Sequence, residues 1–278
     1  MITSSANPAI KFIRKLADRK ERQHAGLFYV EGLRIVGEAA QKQWDIDQLV
    51  IAPELLTSLF GQQLVTDVTA AGGNVLEVSA DVFRSLSAKD GPQGIAAVVR
   101  QRWTNLEDVH LAAGDVWIAL DSVQDPGNLG TILRTSDATG CKGVILLDQS
   151  TDPFDPGAIR ASMGAIFDQP LVKTSWPIFA SWKKREGAVV VGTSDKAQQD
   201  YHRYRYPQGL VVLMGSERQG LQERHYALCD AVVSIPMRGE SDSLNLAVAT
   251  ALVVYEIMNQ RRDEVAHSHY LDGNGAKV

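Results

Sequence analysis

Three loops of this 278-residue chain hold side chains whose types and spacing could do chemistry. The first, residues 121–130 (DSVQDPGNLG), follows an apolar run and opens a helical pattern, with Arg134 about one and a half turns beyond Asn128. Asp-Pro-Gly-Asn is also ordinary turn chemistry, and Asn128 could simply cap the helix. In the second, residues 214–221 (MGSERQGL), Gly215 and Gly220 permit close backbone approach to a ligand. There Glu217 can accept hydrogen bonds or complement a helix start; a plain strand–helix turn is the competing reading. The third, residues 235–249 (IPMRGESDSLNLAVA), runs from small polar residues into a helix that is apolar nearly all round and is therefore expected to be buried. Asn245 then falls in the first turn of a buried helix, where its carboxamide needs a partner for every polar group. None of the loops is a Walker A or G-x-G-x-x-G sequence, so phosphate cradling of the usual nucleotide kind is unsupported.

These loops belong to a regular succession of elements. Apolar runs of strand length stand at 116–120, 143–147, 189–191, 210–214 and 231–235, with helical patterns at 129–138, 156–166, 177–185 and 222–228. A long helix is expected over 243–259. Continuous apolar strands alternating with helices predict a parallel sheet covered on both faces, whose ligand loops lie beyond the carboxyl ends of the strands. Residues 27–100 read as a smaller mixed α/β unit, with strands at 28–30, 46–51, 75–78 and 94–99 and a helix whose first turn holds Pro53. It offers neither a nucleophile–base pair nor a metal set. Residues 101–114 read as a polar linker, 115–265 as the second domain and 266–278 as a frayed, disordered tail.

Composition narrows the function classes. The net charge is −5, which excludes a uniformly basic nucleic-acid coating, yet residues 1–26 carry six cations against two carboxylates, leaving −9 on the rest. Asn7-Pro8 caps a basic helix there, and Lys11, Arg14 and Lys15 could touch phosphates; a solvated surface helix is the plainer reading. Cys141 and Cys229 are too few for a disulfide framework and read as packing thiols in a reducing compartment. The amino terminus lacks the pattern of a signal peptide and no run reaches the length of a membrane span, so a cytoplasmic location is expected. His267 and His269 have no third ligand nearby, and no metal is expected. The stretch 201–206 (YHRYRY) interleaves aromatics and cations, which suits base stacking with phosphate contact, an exposed loop or a dimer contact.

Together the segments DSVQDPGNLGTILRTSDATG, LMGSERQGL and IPMRGESDSLNLAVATALVVYE resemble the three motifs of the SpoU (TrmH-type) branch of the SPOUT RNA methyltransferases, across residues 116–262. Residues 159–165 (IRASMGA) look like that family's R-x-S-x-G-A stretch, and FYVEG at 28–32 is similar to the opening of its L30e-like substrate-binding domain. The resemblance implies an α/β fold: a C-terminal parallel-sheet SPOUT domain with a trefoil knot, preceded by a small L30e-like α/β domain. It further implies a homodimer and S-adenosylmethionine bound at Thr193, Gly215, Ile235, Met237, Ser243 and Leu244, mostly through backbone groups. The family's active-site positions fall on Asn128, Arg134, Glu217, Ser243 and Asn245. RNA contacts are expected from Lys11, Arg14, Lys15, Arg160 and Ser162.

The implied reaction displaces a methyl group from a sulfonium with a ribose 2′-hydroxyl, so alignment and proton loss are the enzyme's main tasks. A guanidinium is effectively always protonated and a poor base, so Arg134 is expected to lower the hydroxyl's pKa electrostatically. A module like residues 1–100 is typical of relatives acting on ribosomal RNA, which makes large-subunit rRNA the expected substrate. A tRNA substrate and a non-catalytic dimeric RNA-binding protein are the alternatives.

Overall fold

The computed structural model describes residues 1–87 and 90–273. The elements open with α1 (Pro8–Lys15), α2 (Arg19–Ala25), β1 (Leu27–Glu31), α3 (Leu33–Gln41) and β2 (Ile46–Ile51). Then come α4 (Leu59–Ala70), β3 (Val75–Glu77), α5 (Ala80–Leu86), β4 (Ile95–Arg100), β5 (Val116–Asp121), α6 (Pro126–Ala138), β6 (Gly143–Leu147) and α7 (Pro156–Ser162). The chain continues through β7 (Leu171–Thr174), α8 (Trp176–Glu186), β8 (Val189–Thr193), β9 (Gln199–Asp200), β10 (Leu210–Met214), α9 (Glu223–Tyr226), β11 (Ala231–Ser234) and α10 (Leu246–Gly273). Two compact units result, residues 1–102 with 152–168, and residues 103–151 with 169 onward.

The first unit is a four-stranded sheet in the order β1-β4-β2-β3, with β4 antiparallel to both neighbours and β3 parallel to β2. Residues 1–26 form two helices where one was expected, because Asp18 caps α2 by accepting the N–H of Lys20 at 2.7 Å. Asn7 caps α1 as expected, accepting the N–H of Ala9 at 2.9 Å. Ile10, Ile13 and Leu16 are buried in one core with Val50, Phe83 and Val98, so α1 is a wall of this unit. Arg22 is buried too: its Nε lies 2.8 Å from Asp152 and its Nη2 3.3 Å from Asp155, and it donates to the carbonyls of Leu16 and Ala17. The helix expected around Pro53 begins instead at Leu59, capped by Ser58; the carbonyl of Ala52 holds a turn by accepting the N–H of Leu55 and Leu56.

The second unit is a seven-stranded sheet in the order β7-β6-β5-β10-β8-β11-β9, parallel throughout. β5, β6 and β10 are buried along their whole length, as their unbroken apolar runs require. The edge strands β7 and β9 were not foreseen: one carries Lys173 and the other is only Gln199-Asp200, neither apolar enough to register. Residues 103–114, expected within a linker, join the fold, with Leu106 and Val109 buried and the Trp182 indole N–H donating to the carbonyl of Val109.

After β5 the chain moves outward to β6 and β7, whereas β10 has β8 and β11 on its other side. The carboxyl ends of β5 and β10 therefore flank a point where strand order reverses, the usual crevice of such sheets. Helix α10 differs from expectation on three counts. It starts at Leu246, it runs on to Gly273, and it is only half-buried. Ala247, Val253, Val254 and Ile257 face inward, packing on α6 and β10, while Val248, Leu252 and Tyr255 are exposed. Of the expected tail 266–278, residues 274–278 lie outside the described residues.

Candidate active site

The three loops meet in one cleft of about 660 Å³ in the second unit. Its first wall departs from β5 through Ser122, a non-glycine residue at φ +55. Asp125 caps α6 by accepting the N–H of Asn128 at 2.7 Å, so Asn128 is not the cap and its side chain is available.

That side chain is the middle of a polar line. Asn245 is the residue that caps α10: its Oδ1 accepts the N–H of Ala247 at 2.9 Å and of Val248 at 3.3 Å. With its oxygen so used, Asn245 presents Nδ2, which donates to Asn128 Oδ1 at 2.9 Å. Asn128 in turn donates from Nδ2 to Glu217 Oε1 at 3.2 Å. Glu217 also accepts the backbone N–H groups of Gln124, at 3.1 Å, and Asp125, at 3.2 Å. Both amide orientations are thus dictated by the bonds at the two ends. Partial desolvation by the surrounding loops works against the Glu217 charge, but the backbone N–H groups and the Asn128 amide outweigh it and hold the carboxyl below its ordinary value. Asn245 is exposed at the rim, not enclosed in a buried helix as expected. The signal for a partner was sound; the reason for it is a cap at the mouth of a cleft.

Thr193, Gly215, Ile235, Met237, Ser243 and Leu244 all line this cleft. Thr193 Oγ1 is buried and makes no hydrogen bond among the described residues, an orphaned polar atom on the wall. Gly215 also has a purpose within its own loop. A Cβ there would lie 2.1 Å from the carbonyl of Gly220, so the glycine lets residues 215–220 fold back on themselves. Asp195 and Lys196, beyond β8, also line the cleft and were not singled out in the sequence; their place at a strand's carboxyl end was the available signal. Arg134 is exposed on α6 and is not part of the lining.

In the first unit, Lys11, Arg14 and Lys15 are exposed on α1, with Arg14 donating to Ser85 Oγ at 3.3 Å, and Arg160 is exposed on α7. Ser162 cannot be a direct RNA contact: it is fully buried and donates to the carbonyl of Ile159. In the 201–206 stretch the rings of Tyr204 and Tyr206 meet edge to face at 5.0 Å and Tyr206 is buried, so they pack against the protein instead of offering a base-stacking platform. Burial raises both cysteine thiols, that of Cys229 to about 12, as expected for packing groups. The side chains of His267 and His269 lie outside the described residues.

Comparison with known proteins supplies the family. Residues 115–255 match the SpoU rRNA Methylase family, and residues 7–97 match the MRM3-like substrate binding domain. The chain is 30% identical to the 23S rRNA (guanosine(2553)-2′-O)-methyltransferase RlmP of Bacillus subtilis (strain 168), covering 92% of this chain and 98% of that one. The crystal structure of an AdoMet-bound rRNA methyltransferase from Sinorhizobium meliloti superposes with a TM-score of 0.87 at 38% identity, over 93% and 97% of the two chains. The SpoU methyltransferase AviRb from Streptomyces viridochromogenes gives 0.84 at 28% identity, over 93% and 99%. The α/β architecture is that of the SPOUT methyltransferases, and the chain belongs to the SpoU rRNA methylase family.

Proposed function

We propose that this chain transfers the methyl group of S-adenosylmethionine to a ribose 2′-hydroxyl of large-subunit ribosomal RNA. The observation that carries this reading is the line Asn245–Asn128–Glu217, three polar side chains from three loops held in one orientation at the mouth of a cleft. The cleft suits the cofactor: turns 214–220 and 242–245 line it, and the Thr193 hydroxyl supplies a buried polar atom with no partner among the described residues. Thr193, Gly215, Ile235, Met237, Ser243 and Leu244 would hold it. When bound, it would supply a methyl group on a sulfonium, whose sulfur departs as a neutral thioether without needing a proton.

The protein's own task is then to place the ribose and ease its deprotonation. Asn128, Ser243 and Asn245 orient ribose and backbone, while Glu217 fixes the first loop. Arg134 lowers the hydroxyl's pKa as a permanent cation, and the proton released passes to water or a substrate phosphate. Six residues along a helix amount to about 9 Å and roughly 120° of net rotation, so Arg134 faces away from the cleft that Asn128 lines. A second copy of the chain completes the site, and the exposed apolar stripe of Val248, Leu252 and Tyr255 is the face we assign to it. After β11, near one edge, the chain returns to lay α10 on α6 and β10, which supports the trefoil-knotted path of this reading. Lys11, Arg14, Lys15 and Arg160 hold RNA phosphates on the first unit. A reducing cytoplasmic location belongs to the same reading, and both cysteines are free thiols.

The test is transfer of labelled methyl from S-adenosylmethionine to deproteinised rRNA and tRNA, with mapping of 2′-O-methyl sites. Label in rRNA is expected. Label confined to tRNA would move the substrate to that class, and absence of S-adenosylmethionine binding by calorimetry would leave a non-catalytic RNA-binding dimer.

A further inference from the structure

Behind the cleft, and outside its lining, lies a group of charged and aromatic side chains that the proposed chemistry does not use. Asp121, the last residue of β5, is 3% exposed. Its Oδ2 lies 2.7 Å from His225 Nε2 and 2.7 Å from Arg224 Nη2. Arg224 also reaches Asp148, just beyond β6, at 3.0 Å, and lies over the ring of Trp176 at 5.2 Å. Asp148 Oδ1 in turn accepts the N–H of Trp176. His225 is fully buried, edge-on to Trp176, and its Nδ1 accepts the backbone N–H of Gln222 at 2.7 Å.

These bonds specify a protonation state. An Nδ1 that accepts an N–H carries no proton, so the imidazole is neutral with its proton on Nε2, which donates to Asp121. Arg224 Nε, 3.2 Å from that same nitrogen, is then its neighbour and not its donor. Burial of Asp121 opposes its charge, but the bonds from His225 and Arg224 prevail and keep the carboxyl below its ordinary value.

The place of the cluster in the chain gives it meaning. Asp121 precedes the left-handed corner at Ser122, from which the loop bearing Gln124, Asp125 and Asn128 departs. Arg224 and His225 lie on α9, which follows directly on the loop bearing Glu217. We propose that Asp121, Arg224 and His225 are positioning residues for methyl transfer: a clamp that fastens the first and second loops at their base, so that Glu217 meets Gln124, Asp125 and Asn128 in register. This rests on the reading of Glu217 and Asn128 as parts of the active site.

A double-mutant cycle on the full-length chain separates the two. Arg224→Gln is the first variant, since that side chain is partly exposed and its loss leaves no buried cavity. Arg224→Gln and His225→Gln are expected to lower kcat on rRNA by about 10- to 100-fold, with affinity for S-adenosylmethionine held within about threefold. In a Glu217→Gln background, Arg224→Gln should cost little more, because the clamp acts through Glu217. Additive losses, or an Arg224→Gln enzyme with full turnover, would overturn the clamp. A fully active Glu217→Gln enzyme would instead overturn the site reading on which it rests. Nitrogen NMR of labelled histidine gives a readout independent of turnover: the His225 ring should carry its proton on Nε2, with Nδ1 unprotonated. An imidazolium signal there would refute the assignment.

Discussion

Replacing Asn128 by Asp tests the polar line at its centre while changing almost no volume. The bond from Asn245 Nδ2 survives, since an aspartate oxygen accepts it as the amide oxygen did at 2.9 Å. The other end inverts: an N–H donor 3.2 Å from Glu217 Oε1 becomes a second carboxylate. Two like charges at such a distance cost about 1 kcal/mol in water and about 4 at a less hydrated surface. Glu217 is exposed and Asn128 half-buried, which places the cost at about 1–2 kcal/mol. The lost hydrogen bond to a charged acceptor adds about 1.5 kcal/mol more. If that misalignment is felt in the transition state, kcat falls roughly 70- to 400-fold.

The pH dependence supplies the sharper signature. In the parent protein Glu217 is held below its ordinary value of 4.5, so the line is intact above that value and is lost as pH falls through the depressed one. In Asn128→Asp the two carboxyls share a site, one of them is raised above the ordinary range, and the loss is present above that raised pKa and relieved as pH falls through it. Single-turnover methyl transfer measured from about pH 8 to about pH 5 should therefore show the ratio of variant to parent rising toward acid. Asn128→Ala removes the bond without adding a charge, and its ratio should stay flat. A flat ratio for Asn128→Asp, or a rate equal to the parent's, would show that Asn128 and Glu217 do not act as a bonded pair during turnover.

Three further outcomes are expected. Arg134→Lys should lower kcat at least tenfold and alter its pH profile in steady-state assays; near-full turnover with an unchanged profile would remove the special role of the guanidinium. Gly215→Ala places a Cβ 2.1 Å from the Gly220 carbonyl, so the loop must open, and calorimetry should find S-adenosylmethionine affinity reduced at least tenfold. Lys11→Gln with Lys15→Gln should weaken RNA binding and flatten its salt dependence by about one to two counterions, read from filter binding across a salt series.

Legibility followed the range over which each signal acts. The buried strands β5, β6 and β10 were plain because a strand covered on both faces must be apolar throughout, and that demand is local. The turn residues that deliver Asn128, Glu217 and Asn245 were equally local, and the three loops stood out one by one. What each side chain bonds was not legible, since Asn245 to Asn128 spans 117 residues and Asn128 to Glu217 spans 89. A buried carboxamide and a capping one look alike in sequence; only the position of α10 distinguishes them. The clamp is the extreme case, because a lone histidine beside an arginine in a short polar helix carries no pattern at all.

Charge was misread for the same reason, and the correction alters how the amino terminus is to be tested. Residues 1–26 hold six cations, and a count does not show which of them face solvent. Arg22 is 1% exposed and bound to two carboxylates more than a hundred residues away, so it is a structural member of the first unit. Ile10, Ile13 and Leu16 belong to the same core. Deleting residues 1–26 would therefore expose that core and leave Asp152 buried without its partner, a loss of about 3–5 kcal/mol from the ion pair alone. Reduced RNA binding after such a deletion would report unfolding and say nothing of phosphate contact. The charge remaining on the outer face of α1 is what RNA could meet, and only substitutions there, at Lys11 and Lys15, isolate its contribution.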